Sequence, residues 1–103
     1  MNRKYFFFFF CWLSSIAVNG QEYQTNIPVH DPVMIKQDSV YYLFCTGRGI
    51  SRWSSKDMTS WKQEKPVFDT LPWAVQTIKG FRNHIWAPDI SFHNGLYYLY
   101  YSV

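Results

Sequence analysis

Apolar and polar positions alternate along Pro32–Phe44, and the same alternation returns along Pro88–Tyr100. In the first stretch Val33-Met34-Ile35 leads through Lys36-Gln37 to Asp38-Ser39, then to Val40-Tyr41-Tyr42-Leu43-Phe44. In the second, Asp89-Ile90-Ser91-Phe92-His93 leads to Asn94-Gly95, then to Leu96-Tyr97-Tyr98-Leu99-Tyr100. The copies align at a constant offset of 56 residues, with Pro32 on Pro88, Asp38 on Asn94 and Tyr41-Tyr42-Leu43 on Tyr97-Tyr98-Leu99. A two-residue polar break between β-branched and aromatic runs predicts a β-hairpin in each copy. Asn94-Gly95 is the stronger turn signal, because both residues tolerate positive φ.

Two more strands are expected after the first hairpin, at Ile50–Ser54 and Lys62–Phe68. The polar segment Ser55-Lys56-Asp57-Met58-Thr59-Ser60 separates them and Trp61 closes it. One repeat is then about four short antiparallel strands. Such a unit, recurring every 40 to 60 residues or so, is the signature of a β-propeller blade. The chain therefore reads as all-β, with one blade and the first hairpin of a second. A lone blade cannot bury both faces, and repeat folds need at least about three units. The pattern stops at Val103 inside an apolar strand, so the expectation is the N-terminal part of a longer protein.

The first twenty residues follow a different pattern. Arg3 and Lys4 precede an apolar run from Tyr5 to Val18, which ends in Asn19-Gly20. This is the layout of a secretory signal peptide, with cleavage near Gly20 or Gln21. The run is short for a bilayer span, which needs roughly 20 residues; a retained anchor is the alternative reading. Residues 1–20 are thus read as a leader and 21–103 as an incomplete propeller domain, secreted or periplasmic, with no membrane contact after cleavage.

Removing the leader changes the charge. The whole chain has a formal net charge of +3, but from Gln21 onward eight Lys/Arg face seven Asp/Glu. No basic patch for nucleic acid remains. Of the two cysteines only Cys45 lies beyond the leader. No disulfide can form within the mature part, and Cys45, in a Tyr-rich strand, reads as a buried thiol.

Among the carboxylates, Asp38 and Asp57 read as turn formers that bond nearby backbone. Glu22, Glu64 and Asp69 read as solvated loop charges. Asp31 and Asp89 stand apart because each flanks the proline that opens a repeat. The first strand of a propeller blade lines the central channel, so acids there converge on one cavity. Glycoside cleavage needs that convergence, with one carboxyl protonating the leaving oxygen and another activating water or attacking the sugar. A carboxylate at this place can also bind a cation or cap the proline turn, and the residues alone leave these readings open. Trp86, just before Ala87-Pro88-Asp89, is placed either to stack on a sugar ring or to wedge two blades apart. Trp53, Trp61 and Trp73 read as core. His30 and His84 have no second histidine at ligand spacing and read as hydrogen-bonding groups, so no metal site is assigned.

The motifs "VHDPVM", "YYLFCTGRGISRWSSKDMTSW", "HIWAPDI" and "NGLYYLYYSV" together resemble the N-terminal region of glycoside hydrolase family 43. Within that family they are most similar to the endo-acting α-1,5-L-arabinanases. The likeness runs from Ile27 to Val103. It implies a five-bladed β-propeller that hydrolyses with inversion, acting on a polysaccharide such as arabinan or arabinoxylan. The Asp of the His-Asp-Pro motif, here Asp31, is then the general base and a substrate contact. Trp86 is then a substrate-stacking residue and Asp89 one that frames the site. The resemblance places the general acid, a Glu, and the Asp that tunes it in later blades, so the 103 residues alone are expected to be inactive. It also leaves room for calcium in the full-length enzyme, through a later histidine.

Three alternatives stand beside this reading. An exo-acting arabinofuranosidase or β-xylosidase would use the same scaffold. A sugar-binding propeller without catalysis would keep Trp86 and Asp31 and lack the acid. A purely structural blade, or a miscalled gene fragment, would have no activity.

Overall fold

The computed structural model describes residues 22–103; the proposed leader lies outside them. Eight strands and one short helix follow in order. They are β1 (Tyr23–Gln24), β2 (Val33–Gln37), β3 (Val40–Cys45), β4 (Gly47–Arg48), β5 (Ser51–Ser55) and β6 (Trp61–Glu64), then α1 (Pro72–Thr77), β7 (His84–His93) and β8 (Leu96–Ser102). One sheet has the order β1-β6-β5-β3-β2 and a second has the order β4-β7-β8. Every strand pairing among the described residues is antiparallel. The all-β expectation and both hairpins are borne out. The first sheet is the blade, and β7–β8 is the first hairpin of the next.

The two hairpins share their register. Gln37 pairs with Val40 and Met34 with Leu43 in the first; His93 pairs with Leu96 and Ile90 with Leu99 in the second. Both are closed by two-residue turns. Asn94 and Gly95 both have positive φ, 49° and 78°, as a type I′ turn requires. In the first turn Asp38 is at φ 54° and Ser39 is not in the left-handed region.

Strand β3 is buried on both faces, because alternate side chains enter two separate cores. Leu43 and Cys45 pack with Trp53 and Trp61 on one face. Phe44 packs with Ile50, Leu71, Ala74 and Ile85 on the other. The second cluster ties the blade to the following hairpin, since Ile90, Leu99 and Tyr101 pack against it. Truncating Trp53 to alanine in such a setting costs about 3–5 kcal/mol. Cys45 is 2 % exposed, as expected for a buried thiol, and burial raises its pKa above the ordinary cysteine value.

Several expectations need correction. The fourth blade strand ends at Glu64, short of Phe68. Beyond it Val67 and Phe68 donate their amides to the carbonyls of Ile50 and Gly49, outside the ladder with β5. A Cβ at Gly49 would land on the Phe68 carbonyl oxygen, and Gly49 sits at φ 66°, so glycine is required there. Glu64 is a strand residue that accepts a bond from the Ser54 hydroxyl at 2.7 Å, with Lys62 Nζ at 3.4 Å. These contacts, the hydroxyl first, lower its pKa against the opposing effect of burial. Trp73 is 49 % exposed rather than core. It lies on the outer side of α1, whose inner side presents Ala74, with Leu71 just before the helix. Asp57 does form the expected turn. Its Oδ1 accepts the amides of Ser60 (2.8 Å) and Thr59 (2.9 Å), and with the Ser55 hydroxyl they lower its pKa to about 2.

Candidate active site

The site forms where the loop before β2, the β3–β4 junction and the start of β7 meet. His30-Asp31-Pro32 immediately precedes β2. The Thr46 amide donates to the His30 carbonyl at 3.0 Å, which draws this loop onto the end of β3. Asp31 has φ 50°. Aspartate tolerates this left-handed backbone better than most residues, and Pro32 then leads into β2.

The Asp31 carboxylate is held through one oxygen. Its Oδ2 accepts a hydrogen bond from Thr46 Oγ1 at 2.9 Å and lies 2.8 Å from His30 Nδ1. The carboxylate side chain is 44 % exposed, so it can reach solvent or a ligand. The Thr46 hydroxyl in turn accepts the backbone N–H of Ala87 at 2.8 Å. Ala87 has φ 41° and sits in an irregularity of the β7–β8 ladder between Trp86 and Asp89. Trp86 is 57 % exposed, with its ring edge-on to His84 at 5.4 Å. It borders an open groove of about 490 Å³ that it shares with Ala87, Ser102 and Val103.

Asp31 and Trp86, singled out from sequence, are thus joined through Thr46 and Ala87. Asp89 stands apart from this chain of bonds. It pairs with Tyr100 in the ladder, and its Oδ1 accepts the amide of Ile90 at 2.9 Å. Sequence reasoning missed Thr46 and Ala87. The repeat held the signal: the 56-residue offset sets Asp31 on Ala87 and His30 on Trp86. Among the described residues no three of His, Cys, Asp or Glu converge to hold a metal.

Residues 25–103 match the model of glycosyl hydrolases family 43. The chain belongs to this family. An extracellular exo-α-(1→5)-L-arabinofuranosidase of Cellvibrio japonicus is 45 % identical over 96 residues, covering 89 % of this chain and 28 % of the relative. An extracellular endo-α-(1→5)-L-arabinanase of Bacillus subtilis is 40 % identical over 84 residues, covering 77 % and 26 %. Among solved structures, an exo-1,5-α-L-arabinanase from a bovine ruminal metagenomic library superposes with a TM-score of 0.70 at 49 % identity, over 75 % of this chain and 26 % of that one. Native Bacillus subtilis arabinanase gives 0.69 at 38 %, over 75 % and 28 %. The chain spans about a quarter of the length of these family 43 proteins. The arabinanases of the family are five-bladed β-propellers. Of that architecture these residues supply the first blade and the opening hairpin of the second.

Proposed function

We propose that this chain supplies the general base of an exported family 43 hydrolase that cleaves α-1,5-linked arabinan with inversion. The observation that carries the reading is the Asp31 carboxylate, tethered through Oδ2 and close in the fold to the exposed indole of Trp86. Trp86 stacks on an arabinofuranose ring. A water between Asp31 and the anomeric carbon gives its proton to Asp31 as its oxygen bonds to that carbon. The glycosidic bond breaks on the opposite face, and the leaving oxygen takes a proton from an acid supplied by a later part of the propeller. Inversion requires the two carboxyl groups about 6.5–9.5 Å apart, so that the water fits between them. By this division the 103 residues alone lack the acid and do not cleave arabinan. Export is supported by the leader pattern in residues 1–20 and by the word extracellular in the relatives' names.

The test is Asp31→Asn in the full-length protein. A positioned base contributes roughly 10²–10⁴-fold, so kcat on linear arabinan falls by that factor with the fold intact by circular dichroism. Turnover within threefold of the parent refutes the base assignment.

A second reading, exo action on the same polymer, draws on specific figures. The 45 % relative and the 49 % structure carry exo names, against 40 % for the Bacillus subtilis endo enzyme. Product analysis separates the two: oligosaccharides of mixed length mean endo cleavage, and one short product released from chain ends means exo.

A further inference from the structure

We propose that Thr46 is a positioning residue, whose hydroxyl locks Asp31 to the Trp86–Ala87 bulge and leaves Asp31 Oδ1 as the oxygen that receives the proton from water. The inference rests on Asp31 being the base.

The directions of the two hydrogen bonds are set by chemistry. A backbone N–H can only donate, so the Thr46 oxygen accepts from Ala87 at 2.8 Å. The hydroxyl has one hydrogen, and that hydrogen goes to Asp31 Oδ2 at 2.9 Å. His30 Nδ1 lies 2.8 Å from the same oxygen. Both contacts therefore load Oδ2, and the described residues give Oδ1 no hydrogen-bond partner. A carboxylate held by one oxygen has its rotation fixed, and its other oxygen stays available to a water. A base must be held in place to act at the transition state, and a small misplacement costs rate steeply.

Thr46 also bridges equivalent places in successive repeats. Asp31 and Ala87 each precede a repeat-opening proline, and both take left-handed backbone, at φ 50° and 41°. Thr46 bonds the side chain of the first and the backbone of the second. Ala87 lies in the bulge beside Trp86, so the oxygen that orients the base is anchored next to the ring-stacking residue. Base and stacking surface are thereby held at one spacing, whatever the rest of the sugar chain does.

Removing a hydrogen bond to a charged group costs roughly 10- to 100-fold in rate where the group acts in the transition state. In the full-length protein Thr46→Val keeps the side chain's shape and loses the hydroxyl. The expected result is a kcat lower by about that factor, KM within threefold, and recovery to within threefold of the parent in Thr46→Ser. A Thr46→Val enzyme with near-parental kcat overturns the proposal. So does equal impairment of the Ser and Val variants, which would mean that Thr46 acts through its methyl packing. Should Thr46→Val fail to fold, Thr46→Ala measured against Thr46→Ser decides by the same criterion. Asp31→Asn, run alongside, keeps the two claims apart. If it retains turnover the base reading falls; if it is inactive while Thr46→Val is unaffected, only the role of Thr46 falls.

Discussion

The hairpins β2–β3 and β7–β8 are near copies in sequence and register, yet they occupy opposite environments. In β3, Leu43, Phe44 and Cys45 are all buried. In β8, Leu96 is 59 % and Tyr100 60 % exposed. The side chains are alike, so the difference comes from neighbours. Among the described residues β3 lies between β2 and β5, whereas β8 is bonded to β7 alone. A repeat pattern specifies pairing and turn, while burial depends on what packs alongside. The same contrast holds at the site. The repeat position filled by Asp31 in the first copy holds Ala87 in the second, and His30 gives way to Trp86. One backbone shape thus carries an ionisable group in one blade and a bare methyl beside an exposed indole in the next.

The most forceful way to break this comparison is to exchange the two positions. Asp31→Ala combined with Ala87→Asp moves the carboxylate to the equivalent place one repeat along. Full-length protein carrying both changes should remain as inactive as Asp31→Ala alone, down by roughly 10²–10⁴-fold in reducing-sugar release. Restored activity would mean that the two places are functionally interchangeable.

Hydrogen exchange sharpens the contrast in burial. In a fragment of residues 22–103, provided that it unfolds cooperatively, the amides of Leu43 and Phe44 should exchange at least about 100-fold more slowly than the amides of β8 that face away from β7. Equal rates, followed by NMR, would show that the two strands have the same protection.

A smaller effect separates the turns. Gly95 is at φ 78° with open space around its missing Cβ, so Gly95→Ala acts through backbone strain alone. It should cost about 1–2 kcal/mol, read as a lower urea midpoint. Asp38, a non-glycine residue already at φ 54°, should tolerate Asp38→Gly with little change.

The smallest effect concerns Asp57, in the turn between β5 and β6, a segment of the first blade that the described part of the second does not reach. Its folded pKa, about 2, lies below the unfolded value of roughly 3.9. Its contribution to stability is therefore fully present above about pH 4 and is lost as pH falls through about 2. NMR titration of its carboxyl should give a midpoint near 2, and a midpoint near 4 would show that the amides of Ser60 and Thr59 do not hold it. Asp57→Asn should lower the urea midpoint at pH 7 by more than at pH 2.

The blade and both hairpins were legible because their signals are local. Asn94-Gly95, Asp38-Ser39 and the Tyr-Tyr-Leu runs each act within a few residues. The two-residue strands β1 and β4 carry no periodicity of their own and depend on partners, β6 and β7, far along the chain. The helix α1 is six residues long, too short for a 3.6-residue period to emerge, although Pro72 at its start was a usable sign. Trp73 was misread as core because an aromatic side chain says nothing about which side of so short a helix it occupies. At the site, Asp31 and Trp86 stood out through their motifs. Thr46 did not, because its bond to Ala87 spans 41 residues and one hydroxyl among many carries no pattern. Superimposing the two repeats sets Ala87 on Asp31, which marks Ala87 but not Thr46.

The buried sulfur of Cys45 has a bearing on the proposed export, which would carry the protein among oxidants. An exposed thiol there would be open to cross-linking with other chains, and only its thiolate reacts. Enclosure between Leu43, Trp53 and Trp61 both shields the sulfur and disfavours its ionised form. In the folded blade Cys45 is thereby kept from acting as a cross-linking site.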